Sequence, residues 1–169
     1  MKLEPKRWLA HAAATPRALR RAFPAAVLDA IGAAVGAAEA GHGGEIRVVI
    51  EAVLPWAYLR RNASARQRAL DLFASLRVWD TEHNNGVMIY VGLADRAVEI
   101  VADRGIAALV AAAAWQSICE ALRQDFAAGR YQDGAVAAVR AVGMLLQKNA
   151  PLAAGTSRVN EISDRPVVL

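Results

Sequence analysis

Residues 83–106 carry the pattern that most constrains the fold of this chain, because they predict a two-stranded hairpin. Residues 87–91 and 98–101 are two apolar runs that are rich in residues favouring strands. Asp95 and Arg96 lie between the runs and predict the turn that joins them. The other end of the hairpin collects polar residues that no turn requires: His83, Asn84, Asn85, Asp103 and Arg104. We therefore expect a function at that other end.

The rest of the chain predicts helices on both sides of a small sheet. Alternation of Ile46, Val48 and Ile50 with their neighbours predicts a first strand before the hairpin. Apolar residues at helical spacing predict helices over residues 25–40, 64–76, 115–126 and 134–148. The helix between the first two strands favours a parallel pair with a right-handed crossover, and the tight turn makes the next pair antiparallel. The fold class predicted is α/β, a three-layer α/β/α sandwich with a small mixed sheet.

Length and composition predict one domain of ordinary size with two flanking segments. We expect a basic N-terminal arm over residues 1–24, the α/β/α domain over residues 25–150, and an extended or disordered tail over residues 151–169. The longest apolar run is shorter than the ~20 residues of a membrane span, and no signal-peptide pattern is seen. The single cysteine, Cys119, agrees with a reducing compartment. These features predict a cytoplasmic protein, with peripheral membrane association as an alternative.

Positive charge is concentrated at the start of the chain. Residues 1–24 contain six Lys or Arg against Glu4 alone, whereas the remaining residues carry a net charge of −1. Such an arm favours contact with an acidic protein surface or an anionic membrane, and the alternative is a solvated helix face that promotes solubility. No basic stripe with interleaved aromatic residues continues into the domain, which argues against nucleic-acid binding.

Strand direction divides the polar residues between two ends of the predicted sheet. The carboxyl end, where the first two strands finish, receives Glu51, Asp95 and Arg96. The opposite amino end receives a larger set, listed here: His42, Glu45, Thr81, Glu82, His83, Asn84, Asn85, Asp103 and Arg104. The amino end is the first choice for a site because of this larger set. The carboxyl end is the second choice, because ligands usually bind where parallel strands finish.

Oxygen ligands at the amino end predict a divalent cation. The candidate ligands for Ca²⁺ or Mg²⁺ are Glu45, Glu82, Asn84 and Asp103. If the protein is an enzyme, the candidate catalytic residues are His83 for proton transfer, with His42 as the alternative, Arg104 for a phosphate, and Asp103. A metal ion with an anion pocket is the minimum for phosphoester hydrolysis.

Each of these residues also has a structural interpretation. Asn84 precedes Asn85-Gly86 and is typical of a turn at a strand start, and Asp103 is typical of a helix N-cap. His42 beside three glycines indicates a solvated loop, and Cys119 indicates a buried thiol. No Gly-rich phosphate loop, nucleophile elbow or Cys/His metal spacing occurs in the sequence.

Several short motifs, taken in order, resemble the TPM domain family. They are residues 44–48, 85–87 and 96–106, followed by Trp115 and by Phe126 with Gly129. The resemblance covers about residues 25–150, and the ending at residues 165–169 is similar to that of short bacterial members. It implies an α/β/α sandwich. It also implies acid-phosphatase activity and divalent-metal binding, as associated with some relatives, or maintenance of membrane proteins or photosystems, as associated with others.

Two hypotheses of function follow. Many bacterial members of the family carry a signal peptide and a membrane helix, and this sequence shows neither. Longer relatives have an acidic residue at the position of Asn84, so one carboxylate is missing here. We therefore favour a module that binds a divalent cation or a partner, with a role in membrane-protein maintenance. The alternative is a metal-dependent phosphatase-like hydrolase of phosphomonoesters.

Overall fold

The chain folds as an α/β structure, as predicted, in a computed structural model that describes residues 5–152 and 160–169. The strands are β1 (Glu45–Glu51), β2 (Gly86–Gly92), β3 (Ala97–Ala102) and β4 (Val167–Val168). The helices are α1 (Pro5–Ala13), α2 (Pro16–Ala22), α3 (Ala25–Glu39), α4 (Trp56–Arg60), α5 (Ala65–Ser75), α6 (Arg104–Ala107), α7 (Ala112–Ala127) and α8 (Tyr131–Asn149).

The four strands form one mixed sheet in the order β3-β2-β1-β4. β1 and β2 are parallel, with Glu45 opposite Gly86, and β2 and β3 are antiparallel through the hairpin. Both relations confirm the predicted topology. The sequence did not predict β4, in which Val167 and Val168 run parallel to β1 at its outer edge.

Helices cover both faces of the sheet. Ile46, Val48 and Ile50 of β1 lie in a core cluster with residues of α3, α7 and α8. Val49 points to the other face, where it packs with Tyr90 of β2 and the apolar side of α5. Every residue of β2 is buried, because β2 is a central strand with helices on both sides. The three-layer arrangement therefore follows from the alternation along β1.

Local sequence signals set several helix boundaries. Thr15 is the N-cap of α2, and its hydroxyl accepts a hydrogen bond from the Ala18 amide. Pro16 follows it at the first position of the helix. Ser64 and Gln67 form a reciprocal capping box at the start of α5. α8 begins at Tyr131, three residues before the predicted start.

The N-terminal helices share the core of the domain. Leu19 and Phe23 are buried in the main core cluster, and the Phe23 ring lies 5.7 Å from Phe126 and 5.5 Å from Tyr131. Among the described helices, none is by itself long and apolar enough to cross a membrane. Of the helices that the structure describes, α2 and α3 taken together, as a pair bent by 55°, are the one pair that meets that length and composition.

Candidate functional site

The amino end of the sheet brings Asn84, Asp103 and Arg104 together. The Arg104 side chain donates to Asn84 Oδ1 from Nε and Nη2, both at 3.2 Å. The Arg104 amide donates to Asp103 Oδ1 at 2.7 Å, so Asp103 is the N-cap of α6. Asn84 has a φ of 54°, a conformation that asparagine adopts more easily than most residues. These contacts give Asn84 and Asp103 the structural roles of turn and cap.

Gly105 explains why the two segments of the amino end approach so closely. A Cβ atom at Gly105 would lie 2.6 Å from the Asn84 carbonyl oxygen and 2.8 Å from that of His83. The Gly105 amide donates to the Asn84 carbonyl at 3.1 Å. Glycine is therefore required for this backbone contact, which holds Arg104 beside Asn84.

The other two predicted metal ligands, Glu45 and Glu82, have different surroundings. Glu45 is buried, and its carboxylate accepts hydrogen bonds from the amides of Glu161 at 3.3 Å and Ile162 at 3.2 Å. Glu82 and His83 are exposed. Within residues 5–152 and 160–169, no three His, Cys, Asp or Glu side chains form a group that could hold a metal ion. Cation binding at these residues stays a prediction.

The expectation that His42 lies in a solvated loop is wrong. His42 is fully buried, and its Nδ1 accepts a hydrogen bond from the Gly44 amide at 3.1 Å. Gly143 lets α8 approach α3 closely, because a Cβ there would lie 2.7 Å from the Ala38 Cβ, and the same Cβ would lie at van der Waals distance, 3.7 Å, from His42 Nε2. Nearby Glu39, also fully buried, accepts from the Ile46 amide at 2.6 Å. Both buried side chains therefore accept hydrogen bonds from backbone amides at the start of β1.

At the carboxyl end, Asp95 is fixed by two residues of α1. Arg7 donates to both carboxylate oxygens, at 2.8 and 2.7 Å, and His11 Nε2 lies 3.0 Å from Oδ1. His11 Nδ1 accepts from the Leu54 amide at 3.2 Å, so the neutral ring carries its proton on Nε2 and donates to Asp95. Burial raises the pKa of Asp95, but hydrogen bonds from Arg7 and then His11 outweigh it and hold the pKa below its ordinary value.

A second charged group at the carboxyl end surrounds Glu51, whose side chain is 3% exposed. Arg68 Nε lies 3.1 and 3.0 Å from the two carboxylate oxygens, and the Tyr90 hydroxyl donates to Oε2 at 2.8 Å. Burial and the charge of Glu51 raise the pKa of Tyr90, so this hydroxyl stays protonated. The Arg68 guanidinium lies 4.7 Å from the centre of the Tyr58 ring. Glu51 is therefore held by internal contacts.

The surface beside the carboxyl end combines apolar and cationic side chains. We define the α1–α4 surface as Lys6, Leu9, Trp56 and Arg60, all of which are exposed. Leu9 is 69% exposed and Trp56 is 65% exposed, and the Trp56 ring lies 4.7 Å from that of Trp8. Neither Lys6 nor Arg60 forms an ion pair with the residues that the structure describes. The basic arm predicted from sequence accounts for the charge of Lys6, but no sequence pattern predicted the exposed Leu9 and Trp56 beside it.

A family model and a solved structure match the chain. The model of the TPM domain family matches residues 20–145. The NMR structure of the BA42 protein from the psychrophilic bacterium Bizionia argentinensis is similar, with a TM-score of 0.73 and 29% sequence identity. That similarity covers 85% of this chain and 93% of BA42. No curated protein matches the chain.

Proposed function

The chain belongs to the TPM domain family, and on that premise we propose that it is a binding module that docks on an anionic membrane through the α1–α4 surface. The observation that carries this proposal is the exposure of Leu9 and Trp56 beside two cations. Large exposed apolar side chains that border basic ones are typical of segments that lie in the membrane interface.

Helical spacing supports the proposal. Lys6 and Leu9 are three residues apart on α1, and Trp56 and Arg60 are four residues apart on α4, so each pair lies on one side of its helix. The edge contact between Trp8 and Trp56 joins the two helices. Both helices can therefore insert an apolar side chain while the neighbouring cation stays among the headgroups.

Charge favours an anionic lipid over a neutral one. α2 adds three exposed arginines, which are Arg17, Arg20 and Arg21. Each Lys or Arg near an anionic bilayer contributes about 1 kcal/mol to binding. Arg7 is already committed to Asp95, so it is not counted among these cations. An acidic protein surface is the competing partner, but it would not account for the exposure of Leu9 and Trp56.

Docking on a membrane fits the maintenance role that the family resemblance implies, because it would bring the domain beside membrane proteins. The contacts at the amino end do not favour the phosphatase alternative. The Arg104 side chain already binds Asn84, and Asp103 caps α6. Phosphatase activity and Ca²⁺ or Mg²⁺ binding remain predictions, which phosphate-ester turnover and amide shifts on cation titration would test.

Co-sedimentation of the full chain with vesicles tests the proposal. Vesicles of phosphatidylcholine are compared with vesicles that contain equal parts of phosphatidylcholine and phosphatidylserine. We expect binding to the anionic vesicles, and we expect Trp56→Ala to weaken it roughly tenfold, since burial of a large apolar side chain contributes about 1.5–3 kcal/mol when complete. Leu9→Ser should weaken binding in the same direction.

Matched controls come from two similarly exposed residues elsewhere on the molecule. Trp79 is 47% exposed and Leu109 is 59% exposed. Trp79→Ala and Leu109→Ser should leave vesicle binding unchanged. The proposal fails if the wild-type protein does not bind anionic vesicles, or if Trp79→Ala reduces vesicle binding as much as Trp56→Ala does. The protein could instead bind polyglutamate as tightly as vesicles, with no effect of Trp56→Ala on either. That result would identify the partner as an acidic protein surface and refute membrane docking.

A further inference from the structure

A cavity of about 520 Å³ lies at the carboxyl end of the sheet, between α1, α2, the hairpin turn and α7. Its walls are mainly apolar and include Leu19, Val91 and Phe126, together with alanines of α1 and α2. Cavities of this size, of about 300–1,000 Å³, are typical of sites for small molecules. Two of its walls come from helices that lie largely before residue 20, where the family match begins.

The charged side chains that line the cavity are both arginines. No described residue that lines it is an Asp or a Glu. Arg123 is engaged, because it binds Glu120 at 2.8 Å and the Val98 carbonyl at 3.3 Å. The Arg96 side chain is exposed and forms no ion pair or hydrogen bond with the residues that the structure describes. The cavity therefore combines apolar walls with one uncommitted positive charge.

The hairpin turn holds Arg96 in place. Its amide donates to the Leu93 carbonyl at 3.1 Å, and its φ is 50°, a conformation that is uncommon for arginine. The preceding residue, Asp95, is fixed by Arg7 and His11 of α1. Because the backbone is fixed on this side, the guanidinium can bind a ligand at the cost of ordering its own side chain only.

We propose that this cavity binds a small apolar carboxylate, a single hydrocarbon chain or ring with one anionic head, and that Arg96 anchors the head. A guanidinium matches a carboxylate through two parallel hydrogen bonds, whereas it repels an ammonium group. The hydrocarbon part lies against Leu19, Val91 and Phe126. This site is separate from the α1–α4 surface, and it takes a free molecule in solution rather than a bilayer.

Titration of the isotopically labelled full chain with decanoate, below its micelle concentration and without vesicles, tests the proposal by amide NMR. We expect shifts at Gly92, Leu93 and Ala97, which border the cavity. Decylamine, which has the same chain and the opposite charge, should bind at least tenfold more weakly. The absence of shifts, equal binding of decylamine, or shifts confined to residues outside the cavity would overturn the proposal.

Two pairs of variants separate the anchor from the walls. Arg96→Asn removes the charge but keeps a residue that tolerates positive φ, and we expect roughly tenfold weaker decanoate binding. Its control is Arg77→Asn, because Arg77 has a φ of 54° but does not line the cavity. Ala18→Trp, which fills the cavity from α2, should abolish binding, whereas Ala12→Trp, on exposed α1 surface outside the cavity, should not.

These variants also distinguish this proposal from membrane docking. Ala18→Trp should leave vesicle binding unchanged while it removes decanoate binding. Trp56→Ala should do the reverse, because Trp56 does not line the cavity. If Arg96→Asn and Arg77→Asn weaken decanoate binding equally, the head is held by general positive charge and the anchor is refuted. If Ala18→Trp binds decanoate as wild type does, the hydrocarbon does not occupy this cavity.

Discussion

The buried ion pair between Glu51 and Arg68 provides a quantitative test of the structure, because its two charges depend on each other. Their side chains are 3% and 14% exposed. Arg68→Met leaves the Glu51 carboxylate buried with Tyr90 as its remaining side-chain donor, and we expect a loss of about 4 kcal/mol in the free energy of unfolding. Glu51→Leu leaves Arg68 and the Tyr90 hydroxyl without their acceptor, and we expect a loss of about 3 kcal/mol, because Arg68 lies nearer to the solvent.

Combined replacement should restore most of this loss. In the triple variant Glu51→Leu, Arg68→Met and Tyr90→Phe, no charge or hydroxyl is left buried without a partner, and apolar groups of similar volume fill the space. We expect its free energy of unfolding to lie within about 1 kcal/mol of the wild-type value. Urea unfolding followed by circular dichroism measures all four proteins, with an unchanged denaturant slope as the check on folding. A triple variant that loses the sum of the single losses would refute the interdependence of these residues.

Three further predictions concern stability. Asp95→Asn should destabilise the protein by about 2 kcal/mol by weakening the contact with Arg7. Because the pKa of Asp95 is lowered in the folded state, the stabilisation that it provides is present above the unfolded value of about 3.9 and is lost as the pH falls through the folded value. Urea unfolding from pH 7 to pH 2 should show a smaller loss for Asp95→Asn, and parallel curves would contradict this. Gly86→Ala should cost about 3 kcal/mol in thermal or urea unfolding, because its Cβ would lie 1.9 Å from the Val78 carbonyl oxygen; an unchanged midpoint would argue against this close approach. Ser64→Ala should cost about 1 kcal/mol by loss of the capping box, and an equally stable variant would show that the cap contributes little.

The sequence predicted those parts of the fold that repeat locally. The alternation along β1 and the apolar periods of α3, α5 and α7 extend over several residues, so each leaves a pattern that can be read from the chain alone. β4 was missed because Val167 and Val168 are too few to show a period. The burial of His42 was missed because it involves distant segments: His42 pairs with Pro151, and Gly143 of α8 lies near its ring.

The candidate site was harder to predict because its contacts join distant parts of the chain. Asn84 and Arg104 were placed together correctly, since the hairpin register brings the two ends of its strands side by side. Arg7 and Asp95 are 88 residues apart, and no local pattern connects them. The basic arm was recognised from its charge alone, so neither its contact with Asp95 nor the cavity that it encloses could be read from composition.

Internal contacts hold polar residues at both ends of the sheet. At the amino end, Glu45 binds the amides of Glu161 and Ile162, and Arg104 binds Asn84. At the carboxyl end, α1 binds Asp95 and Arg68 binds Glu51, whereas Arg96 lines a cavity. The amino-end candidates Glu45, Asn84 and Arg104 are therefore already engaged, and a ligand that used them would have to displace internal hydrogen bonds. A ligand at Arg96 displaces none of the hydrogen bonds of the described residues. The carboxyl end was the second choice from sequence, but for this reason it is the more favourable site for a small molecule.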